Sequence, residues 1–177
     1  RSLSFPRAEE LYAKNGDVRL RPSAAFAERL REYARLCKRI YVWDYPYDYY
    51  IVNSVFPVLH TLRENAEYFA KNGVKGVYVN GETDSCEFPE LKIYLQAKVL
   101  YDPFMSEQTF EGHLCEFLEG YYGKGWKNIR KHIAMCERLS KNTCFTIMAQ
   151  PQDVIPPRKG EIGGNRMFVE RGRKLFA

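Results

Sequence analysis

The sequence predicts an α/β fold of two to three parallel strands followed by long helices. Residues 40–43 form a short β-branched and aromatic run, and residues 76–80, GVYVN, form a second. A helical segment lies between them. Because a helical crossover returns the chain to the same end of a sheet, the two strands are expected to pair in parallel. Their exit loops then open at one edge, where open α/β sheets and closed barrels bind ligands.

Taken in order, residues 6–14 read as a short helix closed by Asn15-Gly16, followed by a basic loop through Arg21 and Pro22. Ser23 reads as an N-cap, and Phe26, Leu30, Tyr33 and Cys37 make one apolar helical stripe. Pro57 opens the next helix, with Val58, Leu62, Ala66, Phe69 and Ala70 on one side and Asn72-Gly73 as its stop. Residues 89–101 are apolar nearly all round, which predicts a well-buried helix ended by Asp102-Pro103. Ser106 caps a helix whose stripe is Phe110, Leu114, Phe117, Leu118 and Tyr121, and Gly123 and Gly125 break it. Trp126, Ile129, Ile133 and Cys136 carry a helical period to about Lys141. Residues 144–149 are a candidate third strand. Beyond Pro151 the Pro-, Gly- and Arg-rich sequence reads as an extended tail with one short strand at 166–169.

Composition narrows the function classes. The 177 residues carry a net charge of +5, concentrated at Arg158, Lys159, Arg166, Arg171, Arg173 and Lys174, without a nucleic-acid recognition motif. A solvated tail is the expectation, not a nucleic-acid partner. No run has the length of a membrane span, and no signal-peptide pattern follows Arg1. The five cysteines are odd in number and form no C-x-x-C pair, which points to core thiols in a reducing compartment such as the cytoplasm. His113 and His132 show no ligand-like spacing to each other or to a cysteine, and His60 reads as a partly exposed helix residue. No metal or other cofactor is expected.

The chemistry-bearing residues gather after the two strands. The first is followed by Asp44, Tyr45, Pro46, Tyr47, Asp48, Tyr49 and Tyr50, and the second by Asn80, Glu82, Asp84 and Glu87. Neighbouring strands lie roughly 4.8 Å apart, and carboxyl pairs in glycoside hydrolysis roughly 5 to 9.5 Å apart. The geometry thus permits an acid/base pair, while Trp43, Tyr45 and Tyr47 could offer flat amphipathic faces to a sugar ring. In the plainer reading the acids cap the following helices and the rings pack under the loop. That reading is favoured for Asp48, Asp84 and Glu87, the last because it precedes a helix.

VWDY at 42–45, NGVKGVYVNG at 72–81, EFPELKIYLQAKVLYDP at 87–103 and EFLEGYYG at 116–123 carry a resemblance. In order and spacing they resemble the C-terminal part of a bacterial family, domain of unknown function 4838, grouped with TIM-barrel glycoside hydrolases. The resemblance spans residues 23–151. It implies that the two strands are the last two of a (β/α)₈ barrel, whose full fold takes about 250 residues. The chain would then be a fragment, with residues 1–22 as an N-terminal loop and short helix, 23–150 as the C-terminal part of a barrel-like domain, and 151–177 as a tail. Its open sheet edge would need the missing remainder of the barrel or a second copy. One departure stands out: where family members carry Glu at the end of the second strand, followed by Gln and Gly, this chain has Val79, Asn80 and Gly81.

The expected function is that of a carbohydrate-active, glycoside-hydrolase-like fragment. Asp44 and Glu82 are its catalytic candidates, and Trp43, Tyr45, Tyr47, Asp48, Asn80, Asp84 and Glu87 its substrate-binding candidates. The alternatives are a noncatalytic sugar-binding module, or a structural domain whose aromatic loop docks a protein.

Overall fold

A computed structural model describes residues 4–17, 20–48, 55–80, 86–140 and 173–174. The chain is mixed α/β and mostly helical, in the order α1 (Phe5–Asn15), α2 (Arg21–Leu36), β1 (Ile40–Asp44), α3 (Leu59–Lys71), β2 (Val74–Val79), α4 (Pro89–Tyr101), α5 (Glu107–Tyr122) and α6 (Trp126–Ser140). A single 3₁₀ turn, Gly123–Gly125, joins the last two. Among the described residues the sheet is the parallel pair of β1 and β2. The candidate third strand, the tail and its short strand lie outside those residues.

Local sequence accounts for most of the element ends. Gly16 and Gly73 take φ values of 63° and 73°, the left-handed conformation that glycine adopts without steric cost, and so end α1 and follow α3. Ser106 caps α5 by accepting the Thr109 N–H at 3.0 Å. Ser23 does not cap α2. Pro22 starts that helix earlier, because its fixed φ suits the first turn, and Ser23 is buried inside the turn.

Two cores result. In the first, Val42 of β1 packs with Phe5, Ala27, Leu30 and Phe69, so that α1, α2 and α3 cover one face of the sheet. Polar ties hold these helices together: Arg31 Nη1 donates to Glu9 at 2.7 Å and to the Tyr68 hydroxyl at 3.0 Å, and that hydroxyl donates to Ala27 O at 2.8 Å. The second core lies among α3, α4, α5 and α6, around Leu62, Leu91, Leu95, Leu114, Leu118 and Ile133.

Helix α4 is not buried all round. Ile93 is half exposed and Tyr101 almost fully so, while the buried face combines Leu91, Leu95 and Val99 with Lys92 and Gln96. Apolar residues outnumber the positions that the two neighbouring helices can cover, so part of the apolar surface faces outward. Leu95→Ala should therefore lower stability by about 2–5 kcal/mol, and Ile93→Ala by about 1 kcal/mol or less. Urea unfolding of the two variants measures the difference, and equal losses would mean that α4 is enclosed on both faces.

Candidate functional site

The parallel pairing delivers both strand exits to one edge. Residues 41–44 pair with 76–79 in continuous register, from Tyr41 with Gly76 to Asp44 with Val79. The Asn80 N–H then extends the ladder by donating to Asp44 O at 2.9 Å. Side chains alternate between the faces of a strand. Val42 faces the helices, whereas Tyr41, Trp43 and Tyr78 lie on the other face, with exposures of 72%, 61% and 59%.

That uncovered face is aromatic. The rings of Trp43 and Tyr78 meet edge to face with centroids 4.7 Å apart, and Trp43 and Tyr45 stack within 24° of parallel at 6.4 Å. The Tyr41 ring lies over Gly76, where an added Cβ would come within 3.0 Å of it. By alternation Asn80 shares the face of Tyr78. Its amide donates to the Tyr47 hydroxyl at 3.2 Å. Trp43, Tyr45, Tyr78 and Asn80 thus form one wall at the end of the sheet.

Beside the strand exits, a second feature opens between Pro46, Tyr47, Val79 and α4. This cavity of about 310 Å³ is lined by Cys86, Lys92 and Gln96 among mainly apolar neighbours. Lys92 Nζ and Gln96 Oε1 are buried and have no hydrogen-bond partner among the described residues. Burial pushes the Lys92 ammonium below the ordinary lysine range, and the Glu87 charge opposes that shift. An unsatisfied amine in an apolar wall is costly for folding and competent to bind a carboxylate or another acidic group.

Helix α4 begins under strain. Phe88 takes φ 51°, the left-handed region that non-glycine residues rarely enter. Its ring is held edge to face against Tyr122 at 6.4 Å and His132 at 6.2 Å. Next to it, Glu87 Oε2 accepts the Phe56 N–H at 3.2 Å, and Glu87 Oε1 lies 3.6 Å from His132 Nε2. Further along α6, burial pushes the Glu137 carboxyl up to about 7, with Arg130 opposing it. Burial also pushes the Cys136 thiol up, and the charges of Glu87 and Glu137 add to that rise.

The site residues anticipated from sequence therefore separate. Trp43, Tyr45 and Asn80 share one face. Asp44, half buried, sits on the opposite side of the strand by alternation. Tyr47 and Asp48 are buried at 1% exposure, so they are wall rather than open contact surface, although Tyr47 still lines the cavity. Glu87 is turned toward Phe56 and His132, and Glu82 and Asp84 lie outside the described residues.

Sequence reasoning passed over Lys92 and Gln96, whose four-residue spacing places both on the buried stripe of α4. It also passed over His132 and Cys136, which are four apart on one face of α6, so the expectation that no histidine has ligand-like spacing to a cysteine is corrected here. Among the described residues Cys37, Cys86, Cys115 and Cys136 are all free thiols. No described helix is long and apolar enough to cross a membrane.

A family model described as "Domain of unknown function (DUF4838)" matches residues 12–134. No curated protein and no solved structure matches the chain.

The buried amine has a measurable signature. Between the lowered folded value for Lys92 and the ordinary lysine value, the unfolded chain binds more protons than the folded one, so this group makes stability rise with pH in that alkaline window. Lys92→Met should abolish that rise and stabilise the protein near neutral pH by about 1 kcal/mol or more. Urea unfolding across neutral and alkaline pH compares the two proteins. A wild-type profile as flat as that of the variant would mean that Lys92 is solvated.

Proposed function

The chain belongs to the DUF4838 family, and from that premise we propose that it is the sugar-binding part of a carbohydrate-active, glycoside-hydrolase-like protein. One observation carries this reading: an uncovered wall of Trp43, Tyr45 and Tyr78 with the Asn80 amide at the shared exit of two parallel strands. Exposed rings have flat apolar faces and polar rims, which suit a saccharide's C–H surface and its peripheral hydroxyls. A soluble chain leaves so large a contiguous aromatic patch uncovered where something binds it.

The same arrangement supports reading β1 and β2 as part of a (β/α)₈ barrel. In such a barrel helices cover the outer face of each strand and the other face looks inward, with ligands held at the carboxyl ends. Here helices cover the Val42 side, and the aromatic side would be the inner wall. Completing strands, from the remainder of the barrel or from a second copy, would pair with the open edges and cover Tyr41. Trp43, Tyr45 and Asn80 would remain at the mouth.

Hydrolysis requires a carboxyl pair, for which this reading assigns Asp44 and Glu82 as acid and base. Binding has the stronger support, because Asp44 lies across the strand from the rings and Asp48 is buried.

The test is titration of the chain with neutral and acidic oligosaccharides. Trp43→Ala and Tyr78→Ala should each weaken binding about tenfold, equivalent to ~1.4 kcal/mol, while Trp126→Phe leaves it unchanged. Asp44→Asn should leave affinity intact, because Asp44 lies across the strand from the rings. Affinity that survives Trp43→Ala would overturn the platform, and saturation of the aromatic face by a protein but by no glycan would favour an interaction domain instead.

A further inference from the structure

Three potential donors converge where the segment before α4 meets α6, away from the aromatic wall. His132 Nε2 lies 3.6 Å from Glu87 Oε1 and 3.5 Å from Cys136 Sγ, and all three donor atoms fall within 4.8 Å of one another. A tetrahedral zinc ion takes bonds of about 2.3 Å to sulfur, about 2.05 Å to nitrogen and about 2.1 Å to oxygen, which puts adjacent donors about 3.6 Å apart for S and N and about 3.4 Å apart for N and O. The observed separations already match those edges. We propose that Glu87, His132 and Cys136 bind a zinc-type divalent cation through one oxygen, one nitrogen and one sulfur.

The surroundings support a cation in three ways. Glu87 Oε2 is fixed by the Phe56 N–H, which leaves Oε1 toward His132, the kind of outer support that aims a ligating carboxylate. His132 and Cys136 stand one turn apart on a rigid helix, so their spacing needs no loop rearrangement. A small cavity of about 10 Å³, lined by Glu87 and Cys136 among Phe56, Phe88 and Ile133, adjoins the donors and has room for about one water-sized ligand.

The mixed donor set selects the metal. A thiolate and an imidazole suit zinc or cobalt and do not suit magnesium or calcium, which take oxygen ligands. The cation displaces the thiol proton to solvent, and its positive charge reverses the field that keeps the Cys136 thiol protonated. Glu87 and Cys136 would then join the start of α4 to α6, which fixes the helix that carries Lys92 and Gln96.

The test uses the 177-residue chain, stripped with a chelator and titrated with Co²⁺. We expect saturation near one equivalent with a thiolate-to-cobalt charge-transfer band, displaced by Zn²⁺ and not by Mg²⁺. His132→Asn should weaken binding at least about tenfold, Cys136→Ser should remove the band, and Cys37→Ser should leave it. Zn²⁺ should also raise the urea-unfolding midpoint of the wild-type protein while Mg²⁺ leaves it unchanged, a readout that needs no variant to fold. No thiolate band at saturating Co²⁺, a band that survives Cys136→Ser, or an unfolding midpoint unchanged by Zn²⁺ would each overturn the site.

Discussion

The organising constraint is the parallel pairing of β1 with β2 while helices cover only one of the two faces. Parallel strands send both following loops to one edge, and Asn80 donating to Asp44 extends that order one residue past the strand. With α1, α2 and α3 against Val42, every second side chain is directed away from the helices. Tyr41, Trp43 and Tyr78 are exposed for that reason, and not because a loop presents them. A one-residue slip of β1 would exchange the rings with Val42 and lose both the wall and the core.

Where the chain departs from an economical fold, the departures cluster around α4. Among the described residues Lys92 is a buried amine without a hydrogen-bond partner, Gln96 has an unsatisfied oxygen, and Phe88 occupies the left-handed region without being glycine. Each costs on the order of 1–3 kcal/mol. A helix that only needed to fill the core would place leucine at both polar positions. Backbone strain at its start and two buried polar atoms without hydrogen bonds, beside a cavity of about 310 Å³, are the physical grounds for treating α4 as functional.

Much of this was legible in the sequence, and the failures have identifiable causes. The glycines after α1 and α3 and the Ser106 cap act through local backbone chemistry, so local reading found them. The strand pair and its shared exit followed from the intervening helix. The face of each residue did not follow with equal ease: Asp44 and Trp43 are adjacent in sequence but sit on opposite sides of the sheet, and grouping them as one sugar site ignored the two-residue period. Lys92 and Gln96 were hidden because an apolar helix draws attention to its leucines, although their spacing marks the buried stripe. Glu87, His132 and Cys136 came together only through tertiary packing, since Glu87 lies on another element. The four-residue step from His132 to Cys136 was the one local signal of that cluster.

Helix α4 mechanically links the cavity and the donor cluster. Its first turn follows Glu87 and Phe88, its next positions supply Lys92 and Gln96, and its apolar stripe is held by α3 and α5. A rotation of α4 sufficient to bring Lys92 to solvent would also withdraw Leu91, Leu95 and Val99 from the core, at about 1.5–3 kcal/mol for each side chain exposed. The amine therefore cannot escape its cavity by a local rearrangement. Burial lowers its proton affinity while the Glu87 charge opposes that shift, and an acidic group brought in from outside would oppose it further. Packing that closes every cheaper route turns an unsatisfied lysine into a recognition element for an anion. The same rigidity sets Glu87 opposite α6, so the chemistry at both places depends on the core behind them.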